Sequence, residues 1–158
     1  MNDAYAALDA WIDQHFDEQV RFLQELVKVP TDTPPGNNAP HAERTAELLA
    51  QMGLTAEQHA VPDQEVKAYG LQSITNLIVR RPYASGGPTI ALNAHGDVVP
   101  PGEGWSHHPY GGEIAEGKMY GRATAVSKSD FSTFTFATRA LEAVHAGAPD
   151  RLKGQLEL

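Results

Sequence analysis

Cysteine is absent from the sequence. No disulfide framework and no thiolate metal site can form, so any bound metal has to use histidine and carboxylate ligands. Basic runs are missing too. Twelve basic residues against twenty acidic ones leave a net charge of -8, with no cluster able to neutralise a phosphate backbone or an anionic bilayer. Neither nucleic acid nor a membrane surface is an expected partner. No stretch approaches the roughly 20 apolar residues of a membrane-spanning helix, and Met1 to Trp11 carries Asp3 and Asp9 in place of an uninterrupted apolar core. These absences point to a soluble, cytoplasmic protein. There is no internal repeat and no low-complexity segment. What is present is 41% hydrophobic content over 158 residues, enough to bury one core.

Leu8, Ile12, Phe16, Val20, Leu23 and Val27 recur at three- and four-residue steps, which predicts a long amphipathic helix from Tyr5 that Pro30 ends. Residues 30–40 hold four prolines, Gly36, Asn37 and Asn38, a composition that favours an extended loop, either functional or a plain connector. A second helix is expected from about His41 to Met52, with Gly53 at its left-handed end and a strand from Leu54. Asn76–Arg80 and Thr89–Leu92 are short β-rich runs separated by the turn residues Ser85, Gly86, Gly87 and Pro88; the second reads as a buried central strand. Glu113–Ala115 and Lys118–Tyr120 flank Glu116 and Gly117 as a small hairpin. Phe131, Phe134, Ala137, Leu141 and Val144 set another helix from Ser129 to about Ala146, closed by Gly147 and Pro149. Gln155–Leu158 alternates as a final strand; unpaired, it would expose a sheet edge. Helices interleaved with apolar strands indicate an α/β fold whose sheet is covered on both faces.

The sharpest local feature is Leu92-Asn93-Ala94-His95-Gly96-Asp97-Val98-Val99-Pro100, a His and an Asp two apart just beyond a strand. In open α/β sheets the carboxyl ends of strands are where ligands bind. A neutral imidazole ligates zinc through one nitrogen and needs a partner on the other to fix its tautomer, and Asp97 is placed to be that partner. The plain alternative is a surface pair in a loop. His107 and His108 follow Trp105 in the next loop, and His15, His41, His59 and His145 are expected at surface or boundary positions.

His95-Gly96-Asp97-Val98-Val99-Pro100 is followed by Gly104-Trp105, Pro109-Tyr110-Gly111-Gly112 and Gly117-Lys118-Met119-Tyr120-Gly121-Arg122. Together with Phe22 to Val27, Pro30, Pro35-Gly36 and Arg139-Ala140-Leu141, this series resembles the dizinc aminoacylases, acetylornithine deacetylases, succinyl-diaminopimelate desuccinylases and carboxypeptidase G enzymes. The resemblance implies a three-layer αβα zinc-exopeptidase-like catalytic domain with a mostly parallel mixed sheet, residues 1–158 being its N-terminal part. It also implies hydrolysis of an amide bond in a small N-acyl amino acid or peptide. Zinc, as one or two ions with cobalt or manganese as substitutes, would be ligated by His95 and oriented by Asp97, which serves as a catalytic residue. The general-base glutamate, the remaining ligands and the lid or dimerisation domain of a homodimer would lie beyond Leu158, so the chain is expected to be a fragment inactive alone.

One departure falls inside the matching region. With Lys128 and Arg139 kept in register, Val126 stands where the family places the aspartate that bridges both metals. Valine cannot ligate a metal, and its presence removes a ligand and a compensating charge. Asp130 is the candidate substitute ligand, but as it sits one helical turn on, it can instead cap the helix N-terminus. Lys128 can neutralise a carboxylate, bind substrate or stand in solvent. Ser127-Lys128-Ser129 also admits a serine–lysine nucleophile. The alternative function is a non-catalytic member that keeps the fold and has lost two-metal chemistry through Val126.

Overall fold

The computed structural model, which describes residues 2–158, arranges the helical and strand-like periods of the sequence around one apolar core. The first helix, α1 (Asn2–Val27), stops three residues before Pro30. It is followed by α2 (Ala39–Gln51), β1 (Ala56–Ala60), α3 (Asp63–Ala68), β2 (Thr75–Pro82), β3 (Ala84–Ala91), the hairpin β4 (Glu113–Ala115) and β5 (Lys118–Tyr120), α4 (Lys128–Val144), and β6 (Lys153–Glu157). Gly53 has φ +76, the left-handed conformation expected of the residue closing α2. The short α3 had no periodic signal of its own; its marks are Pro62 before it and Asp63 and Glu65 in its first turn.

α1 lies against α4. Phe22 meets Phe136 edge-on at 6.1 Å between ring centroids, and Ser132 donates its hydroxyl to the Gln19 carbonyl at 3.1 Å. Leu26 and Phe136 are both 0% exposed, and Leu48, Leu49, Leu54 and Val79 complete the cluster. Across the far end of α4, Glu142 accepts two hydrogen bonds from Arg81 at 2.7 and 2.8 Å and one from the Tyr83 hydroxyl at 2.9 Å. Burial pushes the Tyr83 pKa up to about 12, with the Glu142 hydrogen bond adding to the effect. A bidentate guanidinium–carboxylate pair of this kind fixes orientation as well as distance.

The sheet departs from expectation in three ways. Its strand order is β1-β2-β6-β3, so the final strand is an inner one, pairing antiparallel with β2 and parallel with β3. The expected exposed edge lies instead at β3, which has no outer partner among the described residues and leaves Ile90 51% exposed. The expected turn at Ser85–Pro88 lies inside β3, as a register shift between Ala84 and Thr89. Gly87 is required there: a Cβ would sit 2.4 Å from the main chain of Lys153.

The sheet is mixed, with β1-β2 and β2-β6 antiparallel and β6-β3 parallel. Val79, Ala56 and Leu158 turn toward the helical core, whereas Asn76 and Arg80, on the opposite face of β2, are exposed. Among the described residues, the helical core covers one face of the sheet and not both.

Because Phe136 fills the junction of three helices and the sheet, Phe136→Ala is expected to cost about 3–5 kcal/mol in urea unfolding. Tyr5→Ala, at a position 65% exposed, is expected to stay within roughly 0.5 kcal/mol of the parent.

Candidate functional site

Beyond β3 the main chain keeps company with β6 for one more residue, Leu92 donating to the Glu157 carbonyl at 2.8 Å, and then leaves the sheet. It turns at His95-Gly96-Asp97. The His95 Nδ1 lies 3.0 Å from the Asp97 main-chain oxygen and 3.2 Å from its Oδ1. A proton on Nδ1 is shared by these two acceptors, which leaves the Nε2 lone pair free for an electrophile. The two side chains are 56% and 48% exposed, so water reaches the pair.

The turn is held by its backbone. Thr31, 1% exposed, donates its hydroxyl to the Gly96 carbonyl at 2.6 Å. Val98 donates to the Thr31 carbonyl at 3.1 Å, and Thr33 donates to the Val98 carbonyl at 2.7 Å. Arg122 caps the run by donating Nε to the Val99 carbonyl at 2.8 Å. Asp32, between the two threonines, accepts the Tyr110 hydroxyl, and burial with that bond pushes the Tyr110 pKa up. The loop rich in proline is thus the support of the turn and not a plain connector.

Gly96 has a steric reason. A Cβ there would be 3.0 Å from Cε1 of His41 and 3.1 Å from its Nδ1. His41 is 4% exposed, against the expectation of a surface or boundary site, because it shares a helical face with Thr45, Leu48 and Leu49. Among the described residues its Nε2 has no hydrogen-bond partner, and Phe131 stands edge-on at 5.8 Å. Desolvation, reinforced by the Lys128 charge, pushes its pKa down to about 3, so the ring is neutral at physiological pH.

Lys128 is 0% exposed, not a solvated lysine. Its ammonium donates to the Leu26 carbonyl at 3.0 Å and the Val29 carbonyl at 2.7 Å, satisfying the carbonyl end of α1. Burial pushes its pKa down to about 8. Ser127 gives its hydroxyl to Asp130, and Ser129 gives its own to the Ala125 carbonyl, so neither is activated by the lysine. The hydrogen bonding gives the serine–lysine nucleophile no support.

A cavity of about 620 Å³ opens between the sheet, α2 and the residues following β3, lined by His95 and Asp97 together with His41, Thr45, Ile78 and Phe131. Asp130 is not among its lining; it sits in the first turn of α4, holding Ser127. Val126 is 67% exposed just before that helix. Of the remaining histidines, His107 pairs with Glu113 at 2.9 Å and stacks on Tyr120, while His15 stacks on Trp11. Among the described residues no group of three or more His, Asp or Glu side chains is placed to hold an ion. The donor chemistry fits one imidazole ligand with its orienting carboxylate, and not a complete metal site.

Residues 91–153 match the model of Peptidase family M20/M25/M40. The chain is 42% identical over 74 residues to the succinyl-diaminopimelate desuccinylase of Acidiphilium cryptum (strain JF-5), covering 47% of this chain and 19% of that protein. The enzymes of the same name from Methylorubrum extorquens (strain PA1) and Nitrobacter hamburgensis (strain DSM 10229 / NCIMB 13809 / X14) are each 34% identical. They align over 119 and 136 residues, covering 74% and 85% of this chain and 29% and 33% of their own length. The chain therefore spans at most about a third of the length of these relatives.

The buried His41 has a consequence for stability. Its folded pKa lies below the ordinary 6.5, so the folded state takes up its proton less readily than the unfolded chain. Its contribution is complete above pH 6.5 and lost as pH falls toward about 3, at up to about 1.4 kcal/mol per pH unit. Urea midpoints measured between pH 6.5 and about 5, above most carboxylate titrations, are expected to fall in the parent and to flatten in His41→Phe.

Proposed function

We propose that this chain, which belongs to peptidase family M20/M25/M40 over residues 91–153, provides the His95–Asp97 part of the active site of a metal-dependent hydrolase. Its reaction is cleavage of an amide bond in a small N-acyl amino acid or peptide. The observation that carries this reading is the geometry of the pair: Nδ1 of His95 is turned onto Asp97 at 3.2 Å, and both residues line a cavity beyond a strand end. In it, His95 would hold the ion through Nε2 and Asp97 would fix the ring. A zinc ion so held supplies Lewis-acid polarisation of a carbonyl and activation of water near neutral pH. The cavity orients the substrate over the pair, and residues outside this chain complete the ligand set and supply the general base. On the same reading the described layers are one part of a three-layer catalytic domain.

The name of the relatives makes an N-succinyl amino acid the first substrate to test. Val126 supports a second reading, a member that keeps the fold without two-metal chemistry, because an exposed valine stands where a bridging carboxylate is expected. In that case Asp130, which holds Ser127, has no ligand role.

Metal content of the full-length protein, beside His95→Ala, separates the readings. Zinc that co-purifies with the parent and is lost in the variant, with amide hydrolysis falling in step, supports the hydrolase. About two equivalents mean that another residue substitutes for Val126, and about one means a single-metal site. Absence of metal from both proteins overturns the hydrolase, and metal gained in Val126→Asp then supports the non-catalytic reading.

A further inference from the structure

The side chains of His95 and Asp97 are about half exposed, and among the described residues their side-chain hydrogen bonds join the two residues to each other alone. Among the described residues no third side chain holds either of them. Their placement therefore comes from the main chain, at Gly96 between them and Val98 next to them. Both points are held by Thr31: its hydroxyl donates to the Gly96 carbonyl at 2.6 Å and its carbonyl accepts from the Val98 amide at 3.1 Å. Thr33 closes the bridge by donating to the Val98 carbonyl.

Thr31 is itself fixed from behind. It is 1% exposed, and the segment leading to it is clamped where Lys128, anchored in the first turn of α4, donates to the carbonyls of Leu26 and Val29. We infer that Thr31 is a positioning residue for the His95–Asp97 pair, its hydroxyl setting the pitch of the Gly96 peptide and thereby the approach of the Asp97 oxygens to His95 Nδ1. The approach selects the Nδ1–H tautomer and leaves Nε2 as the free donor atom. A rotation of the Gly96 peptide changes both acceptor distances at once, because the main-chain and carboxylate oxygens that face Nδ1 belong to the residue that follows it. Outer-shell partners of this kind are commonly worth about 10- to 100-fold in metal affinity. The functional part of the inference rests on the proposed role of the pair in metal binding; the tautomer part does not.

The test compares Thr31→Val, which removes the hydroxyl and keeps the shape, with Thr31→Ser, which keeps the hydroxyl. The tautomer of His95 is read in metal-free, 15N-histidine-labelled full-length protein by NMR, with zinc affinity measured in parallel. Expected are a predominant Nδ1–H tautomer in the parent and in Thr31→Ser, a mixed one in Thr31→Val, and about 10- to 100-fold weaker zinc binding in Thr31→Val only. An unchanged tautomer in a folded Thr31→Val overturns the inference, as does a scrambled one in Thr31→Ser. If Thr31→Val does not fold, Thr31→Ala, which also removes the hydroxyl, is read in its place with the same two outcomes. Zinc that binds no form of the protein refutes the metal-site reading, while the tautomer comparison still decides the role of Thr31.

Discussion

The short parallel bridge between Asp32 and Val98 is the constraint on which the arrangement of the site depends. His95 and Asp97 lie beyond the last sheet pairing of β3, so the sheet alone does not place them. The loop after α1 does, through the Thr31 hydroxyl and the two main-chain hydrogen bonds around Val98. The chain has to bring residues 31 and 96 together across 65 positions, and the long-range contacts of α1 with α4 and of Lys128 with the end of α1 are what make that approach reproducible. Each hydrogen bond contributes about 1 kcal/mol net, but leaving a buried partner unsatisfied costs about 1–3 kcal/mol.

Buried polar groups cluster around that bridge. Lys128 gives up its hydration for two carbonyls, and burial, reinforced by the Lys128 charge, keeps His41 neutral. The neutral ring packs under Gly96, and a side chain there would crowd it at 3.0–3.1 Å. The two groups are thereby linked: a protonated His41 would face the Lys128 charge in a region of low dielectric, where repulsion between like charges is strong. The chemistry of the surface pair thus stands on a foundation of buried charge and hydrogen bonds, and not only on apolar packing.

Much of this was legible from residue order. The periodic apolar residues of α1 and α4, the Glu116-Gly117 hairpin and the left-handed Gly53 are local signals, and each became the expected element. The His95-Gly96-Asp97 pairing was legible for the same reason, since a spacing of two brings the Asp97 oxygens to Nδ1. What the sequence hid is non-local. Strand order depends on which edges meet, so β6 became an inner strand and β3, expected to be central, an edge. Lys128 and His41 looked like surface residues by type, and only the carbonyls at the end of α1 and the buried face of α2 explain their positions. Thr31 carried no signal, because its partner is a main-chain carbonyl.

The central claim is that His95, turned by Asp97, offers Nε2 to a metal ion. Its most direct test is an anomalous-difference map from zinc-loaded crystals of the full-length protein. The account predicts a peak about 2.0–2.1 Å from His95 Nε2, the usual zinc–imidazole distance, with Nδ1 still facing Asp97. A zinc ion held elsewhere, with His95 Nε2 left to solvent, would contradict it.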